Sequence, residues 1–225
     1  GHTELLQAQA AAFLGKTVSD VPVRMMLAND ELRTVLLSIH VALRDAIDAV
    51  TPENLLETLR ITHESVGALL QRAPRIGVAG LNPHAGEGGL FGREEIDTIA
   101  PTIETARRAG MDVRGPFAPD TVFMRARAAA GEPGEFDVVI AMYHDQGLVG
   151  FKSLSFGSGI NFTAGLPFVR TSPDHGTAYD LAGKNTASAD SMLHAIYAAI
   201  DICNNRKAYL ESTKNPLKRT YVEAE

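Results

Sequence analysis

Three short apolar runs in this chain each end at or near a histidine. Val35–Ile39 runs into His40. Ile76–Leu81 runs into Asn82-Pro83-His84. Val138–Met142 runs into Tyr143-His144-Asp145-Gln146-Gly147. Apolar runs of this length, bounded by turn-forming residues, read as buried strands. The stretches between them carry helical periodicity. Alternating strands and helices with short links specify an α/β class with a mostly parallel sheet flanked by helices. Such a sheet gathers the carboxyl ends of its strands on one edge, where open α/β sheets bind their ligands. The pattern therefore predicts that the three histidines share an edge.

The remaining elements follow from local signals. Glu4–Leu14 is rich in Ala and Leu and reads as helix, and Val21–Ala28 and Thr34–Ile39 read as strands with a turn at Asn29-Asp30-Glu31. Thr51 ahead of Pro52 is an N-cap with proline in the first turn, and Leu55, Leu59, Val66 and Leu69 continue a helix to Arg72. Pro74 ends it, and Arg75–Leu81 is the next strand. Asn82–Gly92 holds four glycines in eleven residues and reads as a loop. A helical turn at Arg93–Ile99 precedes a helix from Pro101 to Ala109, with Gly110 as its stop. Met111–Arg114 reads as strand, Gly115-Pro116 as a turn, Pro119–Ala130 as helix and Gly131–Gly134 as a surface turn. After the run ending at Met142, Tyr143–Gly147 reads as a glycine-containing loop. Gly159–Arg170 looks extended, Ser172–Ala178 reads as a loop, and Ala187–Lys207 is a last helix with a polar tail.

Composition narrows the function classes. The 225 residues, 45% of them hydrophobic, suffice for one large domain or two small ones. A net charge of −6 without a basic block argues against a nucleic-acid partner. No apolar run approaches the ~18 residues that span a bilayer. The single cysteine, Cys203, excludes an internal disulfide framework and a cysteine-based zinc site, and within its helical pattern it reads as a buried thiol. With no signal peptide visible, a cytoplasmic setting is the expectation. The chain opens on Gly1-His2-Thr3-Glu4 without methionine, which reads as a processed or trimmed product.

Three groups of residues carry chemistry. The histidines His40, His84 and His144 fit two readings: hydrogen-bonding turn residues, or the open ligand set of a catalytic zinc or similar divalent ion. Their spacings, 44 and 60 residues, match no local metal motif. His63 and His194 lie mid-helix and read as surface or packing residues. The glycine loop suits phosphate binding by backbone N–H groups at a helix start, and equally suits a loop that needs glycines for its turns. It is neither a Walker loop nor a dinucleotide fingerprint. Lys152, Asn161 and Arg170 offer the charges that a phosphate and a carboxylate need, and each also reads as a surface residue.

Together these segments resemble a known family. GHTE (1–4), SIH (38–40), GLNPHAGEGG (80–89), GPFAPDT (115–121), YHDQGL (143–148), FK (151–152), GINFTAGLPFVRTSPDHGTA (159–178) and LAGK (181–184) occur in the order seen in the 4-hydroxythreonine-4-phosphate dehydrogenase family of vitamin B6 biosynthesis. The resemblance implies an isocitrate/isopropylmalate dehydrogenase-like fold and a homodimer with a shared active site. It implies NAD (or NADP) and one divalent metal, zinc or alternatively cobalt or magnesium. His40, His84 and His144 would hold the metal, with both subunits contributing. His2, Thr3, Lys152, Asn161 and Arg170 would bind substrate. Lys152, Asp145 and Asp120 are the candidates for proton transfer. Asp174, His175, Gly176, Thr177 and Gly183 match a cofactor-adenosine loop.

The chain would then be the C-terminal part of a two-lobed enzyme, with 1–40 and 150–225 near the substrate and cofactor cleft and 41–150 as the metal-bearing lobe. The implied reaction oxidises 4-phosphohydroxy-L-threonine at C3 to a keto acid that decarboxylates to 3-amino-2-oxopropyl phosphate. A long link between Gly15 and Val21 points alternatively to D-threonate or D-erythronate 4-phosphate as substrate, giving dihydroxyacetone phosphate. An inactive sugar-phosphate-binding fragment and a hydrolytic three-histidine enzyme are the remaining alternatives.

Overall fold

The computed structural model describes residues 1–128, 131–155 and 157–215. Ala130, where one helix was expected to end, and the end of the polar tail lie outside the described residues. Seven strands form one sheet: β1 (Arg24–Ala28), β2 (Arg33–Leu36), β3 (Arg75–Ala79), β4 (Asp112–Phe117), β5 (Val138–Ala141), β6 (Ile160–Ala164) and β7 (Thr171–Pro173). Their order is β4-β3-β5-β2-β1-β6-β7. The pairs β4/β3, β3/β5 and β5/β2 are parallel, whereas β1 is antiparallel to β2 and β6, and β7 is antiparallel to β6. Five of the seven strands therefore point one way. The exception at β1 follows from its connection: Asn29 Oδ1 accepts from the Glu31 and Leu32 amides at 3.0 and 2.8 Å, closing a turn too short for a parallel crossover.

The helices are α1 (His2–Leu14), α2 (Leu43–Asp48), α3 (Pro52–Leu70), α4 (Ala100–Arg108), α5 (Pro119–Ala126), α6 (His144–Leu154) and α7 (Asp190–Thr213). Helices α3, α4 and α7 cover one face, where Leu55, Leu59, Ile103 and Ile202 pack with Ile76, Val78 and Ile140. Helices α5 and α6 cover the other, where Phe123 and Phe151 pack with Leu27, Leu36 and Val139. Along β5, Val138 and Ile140 face the first layer and Val139 and Ala141 the second, all without exposure. Burial on both faces is the reason that run is continuously apolar. Each such valine or isoleucine stabilises the fold by about 1.5–3 kcal/mol. The expected N-cap is present, with Thr51 Oγ1 accepting from the Asn54 amide at 3.2 Å.

Several elements differ from the sequence reading. Gly115 and Pro116 lie inside β4, where Gly115 passes so close to β3 that a Cβ would stand 2.5 Å from the Val78 carbonyl oxygen. The Gly159–Arg170 stretch is not one extended run, because Gly165 turns it (φ +93°) so that β7 can fold back on β6. Tyr143–Gly147 is not a loop: α6 begins at His144. Its glycines argued against a helix, yet a Cβ on Gly147 would meet Leu36 at 2.4 Å, so glycine is what lets α6 lie on the sheet. Cys203 is exposed rather than buried. Among the described residues, no helix is long and apolar enough to cross a membrane.

The entry to β5 is held by one carboxylate. Asp137, only 8% exposed, accepts from Arg72 (2.8 and 2.7 Å), from the Arg75 guanidinium (3.2 and 3.0 Å) and from the Arg75 amide (2.8 Å). Burial pushes the Asp137 pKa up, but the hydrogen bonds from Arg72 and Arg75 outweigh it and hold the carboxyl well below the usual range. A carboxyl depressed in the folded state adds stability that is full above its unfolded pKa and is lost as pH falls toward the folded value. Asp137→Asn should therefore destabilise the protein by about 2 kcal/mol at neutral pH in urea unfolding. The gap between the two proteins should narrow below about pH 4. An equal gap at pH 7 and pH 2.5 would contradict this account.

Candidate active site

The order β3-β5-β2 places the three histidine-bearing strand ends side by side. Their register is held by side chains. Ser38 Oγ, buried, donates to the Met142 carbonyl at 3.0 Å and joins the end of β2 to that of β5. Gln146 joins β5 to β3: its Oε1 accepts from the Met142 amide at 2.7 Å and its Nε2 donates to the Gly80 carbonyl at 2.8 Å. Glu95, buried, accepts from the Leu81 and Asn82 amides at 2.7 and 2.8 Å and from Asn82 Nδ2 at 3.0 Å.

On this edge His40 and His144 come together, their ring centroids 5.7 Å apart. His144 Nδ1 lies 2.7 Å from Asp145 Oδ1. With the proton on Nδ1 for that bond, Nε2 presents its lone pair, the arrangement in which a carboxylate orients a metal-binding imidazole. Asp145 and Asp120 line one groove of about 940 Å³ between α5 and α6, with Tyr143 and Gln146 in its wall. Thr3, in the first turn of α1, lines a pocket with Ile39, next to His40. His2 is exposed beside it.

His84 does not join the pair. Residues His84–Gly88 all have positive φ, between +43° and +80°, a left-handed turn wrapped around the Glu95 carboxylate. A Cβ on Gly86 would stand 2.7 Å from Glu95 Oε2. The glycines are thus accounted for by turn geometry around an internal acid, and the His84 ring is exposed near Phe91, at 6.2 Å. Among the described residues, no group of three His, Cys, Asp or Glu is close enough to hold a metal ion. The donors present nevertheless suit one: two neighbouring imidazoles, one already oriented by a carboxylate, with positions open for a third ligand.

The other residues expected to bind substrate and cofactor lie on α6, around β6 and β7, and in the segment after β7. Lys152 is in the last turn of α6, eight residues and so about 12 Å along the axis from His144. Its Nζ donates to the Asp174 carbonyl at 3.3 Å, which joins it to the segment expected to bind the cofactor. Asn161 pairs with Ser172 across β6 and β7, and its Oδ1 is buried without a partner. Arg170 donates to Thr163 Oγ1 at 3.2 Å. His175 bonds Ser191 Oγ at 2.6 Å through Nε2. Gly176, Thr177 and Gly183 are exposed.

Sequence reasoning missed Ser38, Gln146 and Glu95 as the residues that hold the edge. Gln146 sits inside a motif but carries no charge to mark it. Glu95 resembles any helix-start acid until the loop is seen folded around it.

Comparison with known proteins follows the same lines. The sequence pattern of the family described as Pyridoxal phosphate biosynthetic protein PdxA matches residues 1–199. A 4-hydroxythreonine-4-phosphate dehydrogenase from Beijerinckia indica is 53% identical over 192 residues, 85% of this chain and 53% of that protein. One from Geobacter metallireducens is 50% identical over 202 residues, 90% of this chain and 56% of that protein. The crystal structure of 4-hydroxythreonine-4-phosphate dehydrogenase from Klebsiella pneumoniae superposes with a TM-score of 0.75 at 41% identity, covering 90% of this chain and 58% of that one. The chain thus spans little more than half the length of these relatives.

Glu95→Gln tests the edge. The amide keeps the size of the acid but turns an NH₂ toward donors that need an acceptor. The expected loss is about 2 kcal/mol in chemical unfolding, with faster amide exchange at Leu81 and Asn82. Unchanged exchange there would show that the loop holds itself.

Proposed function

The chain belongs to the Pyridoxal phosphate biosynthetic protein PdxA family, and on that premise we propose that it forms the metal-bearing part of an NAD- or NADP-dependent, β-decarboxylating dehydrogenase. The substrate is 4-phosphohydroxy-L-threonine, oxidised at C3 to a keto acid that loses CO₂ to give 3-amino-2-oxopropyl phosphate. The observation that carries this reading is the pairing of His40 with a carboxylate-oriented His144 at the carboxyl edge of a parallel sheet. A divalent ion bound there, zinc or alternatively cobalt or magnesium, supplies a Lewis acid for the substrate hydroxyl, and the nicotinamide supplies the hydride acceptor.

The chain's own residues divide the remaining work. His40 and His144 present ring nitrogens to the ion, and Asp145 holds the His144 tautomer. Asp120 and Asp145 face the groove where a proton leaving the substrate would be taken up, with Lys152 the third candidate. Lys152 and Arg170 carry the positive charge that phosphate and carboxylate require, and Asn161, His2 and Thr3 orient the substrate between them. Asp174, His175, Gly176, Thr177 and Gly183 line the cofactor side. Holding reactants in this way lowers a barrier by several kcal/mol, up to roughly 7–11.

A homodimer with a shared site is part of the proposal. His84 and Lys152 stand away from the His40–His144 pair within one chain, which favours their use across two. The groove beside Asp120 and Asp145 exposes Met124 and Val149, an apolar surface suited to a second copy. A cytoplasmic setting completes the reading.

NADH absorbance with a panel of four-carbon phosphates tests the activity. His144→Ala should reduce metal-dependent turnover to background, and full activity in metal-stripped protein would overturn the metal's role. Asp145→Asn should weaken zinc binding about 10–100-fold, read by competition with a chelating dye. Lys152→Ala and Arg170→Ala should raise KM for the phosphate substrate far more than for NAD.

A further inference from the structure

Helices α3 and α7 do not close completely over the end of β6. Between them and the turn at Gly165 lies a cavity of about 310 Å³. Its floor is apolar, made by Phe162, Leu166 and Ile202 from the buried core. Its wall carries groups suited to an anion. Arg206, half-buried on α7, makes one hydrogen bond, to the Leu166 carbonyl at 3.3 Å, and pairs with no acid among the described residues. A guanidinium presents five N–H donors, so most of this fork lacks an acceptor within the chain. His63, mid-helix in α3, has its Nδ1 buried without a partner, which leaves Nε2 as the ring nitrogen within a ligand's reach. Tyr209 and Ser65 add hydroxyl groups to the same wall. Glu64, the one acid there, is exposed and already bonded to Arg60 at 3.2 Å.

Packing alone explains this grouping less well. A long cationic side chain can cover apolar surface with its stem, but that role needs no imidazole, phenol and serine hydroxyl gathered beside it. An apolar hollow with a few convergent polar groups is the form of a small-molecule site, and its size is at the lower end for one. The guanidinium and the imidazole select an anionic head, and the floor selects an apolar body. A phosphate offers three oxygens to the Arg206, His63 and Tyr209 donors, where a carboxylate offers two. We infer that this cavity binds a phosphate monoester carrying a compact apolar or aromatic group. Successive residues of a strand face opposite sides of a sheet, so a ligand resting on Phe162 lies behind the strand from Asn161, one of the residues proposed to orient the substrate. The ligand also differs in class from the proposed substrate, whose body is polar. The site is thus a second one, and the inference does not rest on the reaction proposed above.

Titration calorimetry of the chain with phenyl phosphate tests this, with inorganic phosphate and benzoate as comparison ligands. The expected result is one saturable site per chain, with phenyl phosphate bound about 10-fold more tightly than inorganic phosphate because its ring covers the apolar floor. The Gly165 and Leu166 amide resonances should shift as the site fills. Arg206→Met keeps the stem and removes the charge, and should weaken binding about 10-fold or more. Tyr209→Phe removes only a hydroxyl, should weaken binding about 3-fold, and serves if circular dichroism shows that Arg206→Met does not fold. Lys152→Ala and Arg170→Ala should leave the affinity unchanged. Absence of saturable binding overturns the inference. So does binding that survives Arg206→Met and Tyr209→Phe but falls in Lys152→Ala or Arg170→Ala, since phenyl phosphate would then occupy the proposed substrate site. Benzoate bound as tightly as phenyl phosphate overturns the assignment of a phosphate head. None of these readouts uses catalysis, so a failure of the proposed reaction and a failure of this site are told apart.

Discussion

The candidate site depends on hydrogen bonds that lock three strand ends into one register. A parallel sheet aligns its strands through the backbone ladder only as far as the strands run, and here each is four or five residues long. Beyond them the chain must leave the sheet while still presenting His40 and His144 side by side. Ser38, Gln146 and Glu95 do this by satisfying main-chain groups that have left the ladder. Buried backbone groups without partners are costly, so these three side chains both stabilise the edge and restrict it to one geometry. The histidines themselves are exposed or half-exposed and contribute little to the fold that positions them.

The same economy governs the glycines. Gly147 lets α6 approach Leu36 and Thr34, which brings His144 down onto the edge. Gly86 lets the 82–92 loop close around Glu95. In both cases a missing Cβ sets the position of a nearby histidine, His144 beside His40 and His84 outward. A loop that had looked suited to an external phosphate is already filled by an internal carboxylate.

Helix α7 lies against β7, the strand at one end of the order β4-β3-β5-β2-β1-β6-β7. The 174–183 segment follows β7 at that end of the sheet, whereas the histidine pair lies near the middle. The histidine-bearing edge and the 174–183 segment are thus separate parts of the fold. Lys152, bonded to the Asp174 carbonyl, links the two.

The class of fold, the positions of its strands and the convergence of the three histidine-bearing ends were legible in the sequence. They follow from local periodicity and from the handful of ways in which alternating strands and helices can pack. Motif order also identified the family. The start of α6 at His144 was not legible, because Gly147 lowers helix propensity and the contact that requires it comes from Leu36, far away in sequence. The exposure of Cys203 was not legible either, since an apolar helix gives no sign of which face has a partner. Nor was the fate of His84, which depends on a carboxylate eleven residues on that only the folded loop brings beneath it. The sequence by itself determined which elements form and which residues can do chemistry, because these depend on near neighbours and side-chain type. Only the tertiary structure decided which of those residues meet, because strand order, close approach at glycine and the pairing of buried polar groups are set by contacts distant in the chain.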